Sequence, residues 1–182
     1  MTLTDDHILI ERILSGDRSA FAELLDRYQK VVYNVAIGVV GNQLDAEDIT
    51  QTVFLKVYEN LATYNPRYRF FSWLYRIAIN ESLNAKKRMR QTVELDEEAI
   101  RTDSTPEESA VESDLENQIG EALMFLSPEN RAIVVLRHYQ ELSYREIAYI
   151  MDLSETKIKA RLYSARQMLG RILIKQGLRA EL

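Results

Sequence analysis

Residues 142–169 read LSYREIAYIMDLSETKIKARLYSARQML, and this stretch decides the fold. Ser143-Tyr144-Arg145-Glu146 is a capping box, in which serine caps the third amide and glutamate returns the bond. About two helical turns later comes the short turn Met151-Asp152-Leu153, and Ser154 caps a further helix. On that helix Ile158, Leu162, Ala165, Leu169 and Ile172 recur at the helical period and make a buried stripe. Its other side carries Thr156, Lys159, Ala160, Tyr163, Ser164 and Gln167, with Lys157, Arg161 and Arg166 at the flanks. A short helix, a tight turn and a basic helix form the helix-turn-helix pattern, whose second helix meets base edges while flanking cations take phosphates.

Upstream, Ser127-Pro128 starts another helix, with proline at the first helical position. Before it lies a polar, acidic stretch from Gln91 to Ser113 containing Ser104-Thr105-Pro106 and no amphipathic period. That composition predicts a flexible acidic linker over 91–115, dividing an N-terminal domain (1–90) from a C-terminal one (116–182). The N-terminal domain is predicted as helices over Asp5–Leu14, Arg18–Val40, Asp45–Leu61 and Ser72–Arg90. Asp17 caps the second, Gly41-Asn42 ends it, and Asp45 caps the third. Sustained strand-like alternation is absent, so the expected class is all-α: two small helical domains joined by a flexible acidic linker, the C-terminal one a helix-turn-helix.

Three surfaces of the N-terminal domain stand out. On the third helix Ala46, Ile49, Val53, Val57 and Leu61 form the core stripe, and the Thr50 hydroxyl can bond a carbonyl one turn back. Leu55 points the other way, among Asp48, Gln51, Thr52 and Glu59. An apolar centre with an acidic rim suits a basic protein partner. Next, the segment Tyr64-Asn65-Pro66-Arg67-Tyr68-Arg69-Phe70-Phe71-Ser72-Trp73 interleaves rings with cations, the chemistry that holds unpaired bases and phosphates. Phe71 and Trp73 suit a core plug; Tyr64, Tyr68 and Phe70 suit either a core or a nucleic-acid contact. Finally, Arg76, Asn80, Asn84 and Lys87 line one face of the fourth helix, and asparagine and arginine read base edges.

The net charge of −5 over 182 residues is unusual for a nucleic-acid binder, but the charge is unevenly placed. Arg67–Arg90 and Ser154–Arg179 are basic, whereas Glu94–Glu116 holds ten acidic residues against Arg101. There is no cysteine and only His7 and His138 as histidines, which excludes disulfides and thiolate chemistry and argues against a histidine metal site. Neither histidine has neighbours at ligand spacing. Glycine-rich phosphate loops and nucleophile–base pairs are missing, so neither an enzyme nor a cofactor is expected. Long apolar runs are missing too, and Met1–His7 is polar and acidic, so no membrane insertion and a cytoplasmic location are expected.

Taken in order, these pieces resemble the extracytoplasmic-function sigma factors of the sigma-70 family, which keep regions 2 and 4. In region 2 the matching residues are Gly16-Asp17, Ala20-Phe21, Tyr28, Asp45-Ala46-Glu47-Asp48, Gln51, Val53, Phe54 and Leu55, then Phe71 to Ala78 with Asn80. In region 4 they are Leu126-Ser127-Pro128, Arg131, Leu142-Ser143-Tyr144, Glu146-Ile147-Ala148, Arg161-Leu162 and Ala165-Arg166. The resemblance implies a chain that binds core RNA polymerase and directs promoter recognition, melting and initiation. Asp45, Glu47, Asp48, Gln51, Phe54 and Leu55 would dock on the coiled coil of the polymerase clamp. Tyr64, Arg67, Tyr68, Arg69 and Phe70, with Arg76, Asn80, Asn84 and Lys87, would open and read the −10 element. Thr156, Lys157, Lys159, Arg161, Tyr163, Ser164 and Arg166 would serve the −35 element. An anti-sigma partner is implied as well.

The sequence departs from the family where the helix-turn-helix turn usually reads glycine, hydrophobic, proline; here it is Asp152-Leu153-Ser154. Thr156-Lys157 replaces the usual glycine-threonine pair, and Ala160 and Ser164 replace the usual serine and arginine, so the −35 preference does not carry over. The residues also admit a conventional helix-turn-helix regulator with an N-terminal oligomerisation or sensing domain, in which Leu55 would mark a self-association patch.

Overall fold

The computed structural model describes residues 3–96 and 114–175. All elements in those residues are helical: α1 (Leu3–Leu14), α2 (Arg18–Val40), α3 (Gln43–Asn60), a 3-10 turn (Leu61–Thr63), α4 (Phe70–Asp96), α5 (Asp114–Met124), α6 (Pro128–Val134) running into a π-helical turn (Val135–Tyr139), α7 (Tyr144–Met151) and α8 (Glu155–Lys175).

Local chemistry sets the boundaries. Asp17 caps α2, accepting from the amides of Ser19 (2.9 Å) and Ala20 (3.3 Å), and Arg12 of α1 donates to it at 2.9 Å. Bonds from the Ser19 hydroxyl and from Arg12 hold the Asp17 carboxyl at about 2, below its ordinary 3.8. A depressed carboxyl contributes stability that is fully present above the unfolded value and is lost as pH falls through the folded one. Asp17→Asn, which keeps a capping oxygen, is therefore expected to flatten the stability–pH curve between about pH 4 and 2. Acid titration of the unfolding free energy checks it, and an unchanged slope would refute it.

Gly41 closes α2 in the left-handed region at φ 73°, where only glycine sits without strain. Asn42 then caps α3 and accepts from the Asp45 amide at 3.0 Å, a correction to the expectation that Asp45 is the cap. Asp45 lies in the first turn instead, where its charge still favours the helix dipole. Ser143 and Glu146 form the anticipated capping box, worth about 1 kcal/mol. Helix α4 continues to Asp96 and α5 begins at Asp114, so both ends of the expected 91–115 linker are helical. Its centre, 97–113, lies outside the described residues.

Helices α2, α3 and α4 pack as a bundle, with α1 laid along α2; α5 to α8 form the second unit around Leu136, Ile147, Ile150, Ile158 and Leu162. A half-buried ion pair ties α3 to α4, Lys56 to Glu81 at 2.6 Å. Beyond the linker joining them, the two units also pack together, α2 against α6 and α4 against α7. Their apolar residues form one continuous core, in which Val39 of α2 and Leu136 of the second unit are both fully buried. Two features make close approach possible. Gly38, inside α2, leaves room for Val135, whose Cγ2 would lie 2.8 Å from a Cβ at that position. Buried Arg131 of α6 donates to the carbonyl of Val39 across the seam, and to those of Leu123 (2.9 Å), Met124 (2.9 Å) and Leu126 (3.1 Å) at the end of α5.

Candidate nucleic-acid and partner interfaces

The α3 face is as the helical period requires. Ala46, Ile49, Val53 and Val57 are buried, and the Thr50 hydroxyl bonds the Ala46 carbonyl at 2.7 Å. Leu55 is 65% exposed, with Asp48, Gln51 and Glu47 exposed around it. Leu44, at 73% exposure, extends the same face by one turn; the i, i+4, i+7, i+11 series Leu44, Asp48, Gln51, Leu55 could have been read from the sequence. Phe54 corrects the expected docking set, because it is 5% exposed and packs inward beside Val53 and Val57. Asp45 is only partly exposed, and its Oδ2 is buried without a hydrogen-bond partner.

The aromatic–basic loop divides in two. Phe70 is 1% exposed and is not available for stacking on a base; it packs edge-on to Tyr28 at 5.4 Å and to Tyr64 at 5.6 Å. The expectation fails there because a ring at the first residue of α4 falls over the bundle and is drawn into it. Tyr64 is half-buried against Phe70, Trp73 and His7, and its hydroxyl donates to the Tyr68 carbonyl at 2.6 Å. It holds the loop rather than standing clear of it. Burial raises the Tyr64 phenol above its ordinary value, so the hydroxyl keeps its proton and the bond. Asn65 adds a second restraint, its Oδ1 accepting from the Arg67 amide at 3.0 Å. These bonds leave Arg67, Tyr68 and Arg69 on the outside.

Along α4, Asn80, Asn84 and Lys87 are exposed and aligned, while Leu74, Ala78 and Ile79 are buried. Arg76 begins the same line, but its Nη1 donates to the Tyr149 carbonyl of α7 at 3.0 Å. Burial pushes the Tyr75 phenol up to about 12, and its hydroxyl donates to Gln140 at 2.8 Å. Residues 140–152 were not expected to touch this region, since contacts across two domains leave no periodic trace in sequence.

In the second unit the α8 stripe is buried at Ile158, Leu162 and Ala165, and half-buried at Leu169 and Ile172. Thr156, Lys157, Lys159, Arg161, Tyr163, Ser164 and Arg166 are all exposed. Lys159 lies 5.5 Å from the centre of the Tyr144 ring, and Arg166 reaches His138 Nε2 at 3.2 Å. The turn survives without glycine because Asp152 itself takes the left-handed conformation at φ 54° and donates its amide to the Ala148 carbonyl.

Among the described residues there is no cluster of histidine, cysteine and acidic side chains able to hold a metal, and no helix long and apolar enough to cross a membrane.

Comparison with known proteins follows the same division. Residues 24–92 match the family model for sigma-70 region 2, and residues 116–169 match that for sigma-70 region 4. The chain is 30% identical over 172 residues to the ECF RNA polymerase sigma factor SigW of Bacillus subtilis, covering 88% of this chain and 92% of SigW. It is 31% identical over 174 residues to the ECF RNA polymerase sigma-E factor of Escherichia coli K12, covering 89% and 91%. The fold is similar to CnrH, solved in complex with the cytosolic domain of CnrY, with a TM-score of 0.71, 23% identity, and 93% and 97% of the two chains covered. It is also similar to RpoE of Bartonella quintana, solved in complex with the anti-sigma factor NepR, with a TM-score of 0.71, 24% identity, and 84% and 96% covered.

Proposed function

This chain belongs to the extracytoplasmic-function sigma factors of the sigma-70 family, and from that premise we propose how its surfaces divide the work of promoter recognition. As a sigma factor it binds core RNA polymerase and directs initiation at promoters; it works by binding, in the cytoplasm, and not as an enzyme. The conventional regulator reading gives way, because an oligomerisation or sensing domain does not account for the region 2 match over residues 24–92.

The α3 face of Leu44, Glu47, Asp48, Gln51 and Leu55 docks on the clamp coiled coil. An exposed leucine ringed by acids suits a basic helical partner, where the apolar centre supplies affinity and the rim steers the encounter. Arg67, Tyr68 and Arg69 meet the −10 strand as it unpairs. Stacking on Tyr68 gives hold without strong sequence demand, and the arginines take phosphates. Asn80, Asn84, Arg76 and Lys87 then read the adjoining bases from α4. Helix α8 enters the major groove at −35 with Thr156, Lys159, Tyr163 and Ser164 toward bases, and Lys157, Arg161 and Arg166 toward phosphates. The two domains expected at 1–90 and 116–182 extend to the end of α4 and from the start of α5. An anti-sigma factor, the kind of partner bound to RpoE in the similar structure, holds the chain inactive.

One observation carries this division: each of the two matched regions presents its own exposed, basic helix face, α4 in one and α8 in the other. Reconstitution with core polymerase tests it. Run-off transcription on genomic fragments with mapped starts is expected to yield discrete start sites that require the chain. Alanine at Asn80 and Asn84 together is expected to lower open-complex formation about tenfold or more while leaving polymerase binding intact. Absence of chain-dependent starts would reject the proposal.

A further inference from the structure

His138, which the division of surfaces above leaves without a task, meets an arginine of the −35 helix. It stands on the π-helical turn, and Arg166 reaches its ring from α8. Nε and Nη2 of Arg166 approach the same ring nitrogen, Nε2, at 3.4 and 3.2 Å. A guanidinium carries donors only. The nitrogen that it faces must offer a lone pair, so the ring is neutral and its one proton sits on Nδ1. An imidazolium in this pose would set proton against proton. Of the elements around the turn, α8 contributes Arg166, and α7 contributes Tyr144, 5.0 Å from the turn's own Arg137. Among the described residues the charges that bear on the ring are Arg166 and Arg137, with no carboxylate and nothing from α2 or α6. Burial first, then these two cations, hold the ring below its ordinary 6.5.

We propose that His138 and Arg166 form a proton-gated site for one backbone phosphate beside the −35 helix, in which the neutral ring holds the guanidinium and the protonated ring joins it as a second donor. Both residues are exposed, so a strand lying along α8 can reach them. In the neutral state two donors of Arg166 are turned to His138 and withheld from DNA. Protonation removes the acceptor and leaves two cations facing each other. That gap suits a single anion, which takes a charge-assisted bond from each side. Proton and phosphate then favour one another reciprocally, as any two coupled ligands do. The sign follows from this coupling. A phosphate raises the ring's pKa in the complex above its value in the free chain. Affinity for DNA therefore grows as pH falls from the bound value towards the free one, and is constant beyond both.

This site rests on α8 being the −35 helix, and one set of titrations separates the two. The full chain is titrated against a rhodamine-labelled duplex of about 20 base pairs and mixed sequence, since a phosphate contact asks for no particular bases. His138→Gln can still accept from Arg166 but never becomes charged, so it gives the baseline. From about pH 7.5 to about 5.5 the wild-type chain is expected to tighten about fivefold relative to that baseline. Its slope of log affinity against log salt is expected to steepen by about one, the signature of one added phosphate contact. His138→Lys, charged throughout, is expected to bind about fivefold tighter than His138→Gln at both ends of the range. Arg166→Gln is expected to lose most of the pH gain, and His7→Gln, at the only other histidine, to keep it. Equal pH profiles for the wild type and His138→Gln would overturn the proposal, and so would a gain without a change in salt slope. Neither result touches α8 if Lys157→Ala combined with Arg161→Ala weakens duplex binding. If that double variant binds as tightly as the wild type, the −35 reading of α8 falls too.

Discussion

Replacing Arg131 with alanine is expected to destabilise the folded chain by about 3–5 kcal/mol, the largest effect of any single substitution outside the apolar core. Arg131 is buried, and its guanidinium bonds carbonyls only: Val39 on one side of the seam, Leu123, Met124 and Leu126 on the other. No carboxylate offsets its charge among these partners. Burial accordingly lowers its pKa, and the helix C-terminal carbonyls supply the negative pole instead. Truncation removes a donor from each of these carbonyls in a closed site; Leu123 keeps the Leu126 amide at 3.0 Å, and each carbonyl left unsatisfied costs about 1–3 kcal/mol. Lysine restores the charge but not the fork, and cannot reach carbonyls in both units, so Arg131→Lys is expected to recover less than half the loss. Thermal unfolding of the three proteins side by side checks this. Equal midpoints for wild type and Arg131→Ala would show that the bonds to Val39 and the α5 end contribute little.

Reversing the charge at Asp48 is the second large effect. Asp48→Arg is expected to weaken core polymerase binding about 100-fold, or ~2.7 kcal/mol, and Leu55→Asp to do at least as much. The two act for different reasons. Asp48→Arg sets like charge against a basic partner and slows association, whereas Leu55→Asp places an unpaired charge at the apolar centre and speeds release. Both side chains are exposed and no hydrogen bond or ion pair holds them among the described residues, so unfolding midpoints should stay within the error of the measurement. Titration of labelled core polymerase gives the affinities, and run-off transcription should fall in step. Full binding by either variant would move the docking surface off α3.

Much of this architecture is legible in the sequence. Capping residues and the helical period place Asp17, Gly41, Ser127 and Ser143 at helix ends and put Leu55 outside, because each of these signals is local. Charge blocks separate two basic faces despite the net charge of −5. The period is less informative for Phe70, at the first residue of α4, and for Phe54, on the flank of the α3 stripe. Both are expected at interfaces and lie inside, since a ring so placed can turn either way and the neighbouring helix decides. The seam was illegible for a different reason. Gly38 interrupts a helix with no local purpose, and its purpose is Val135, nearly a hundred residues away. Arg131 stands in the sequence only as a residue that matches region 4, and nothing local marks it as a buried connector.

That seam also has a thermal consequence. Apolar burial is driven near room temperature by the entropy of released water, and its strength declines on cooling. The close approach of Val135 to Gly38, and the burial of Val39 and Leu136 in one common core, are of this kind. The bonds of Arg131 and the paired charges at Arg69 and Arg76 do not share that dependence. As temperature falls, the apolar share of the seam weakens and the polar contacts carry a larger part of what holds the two units together.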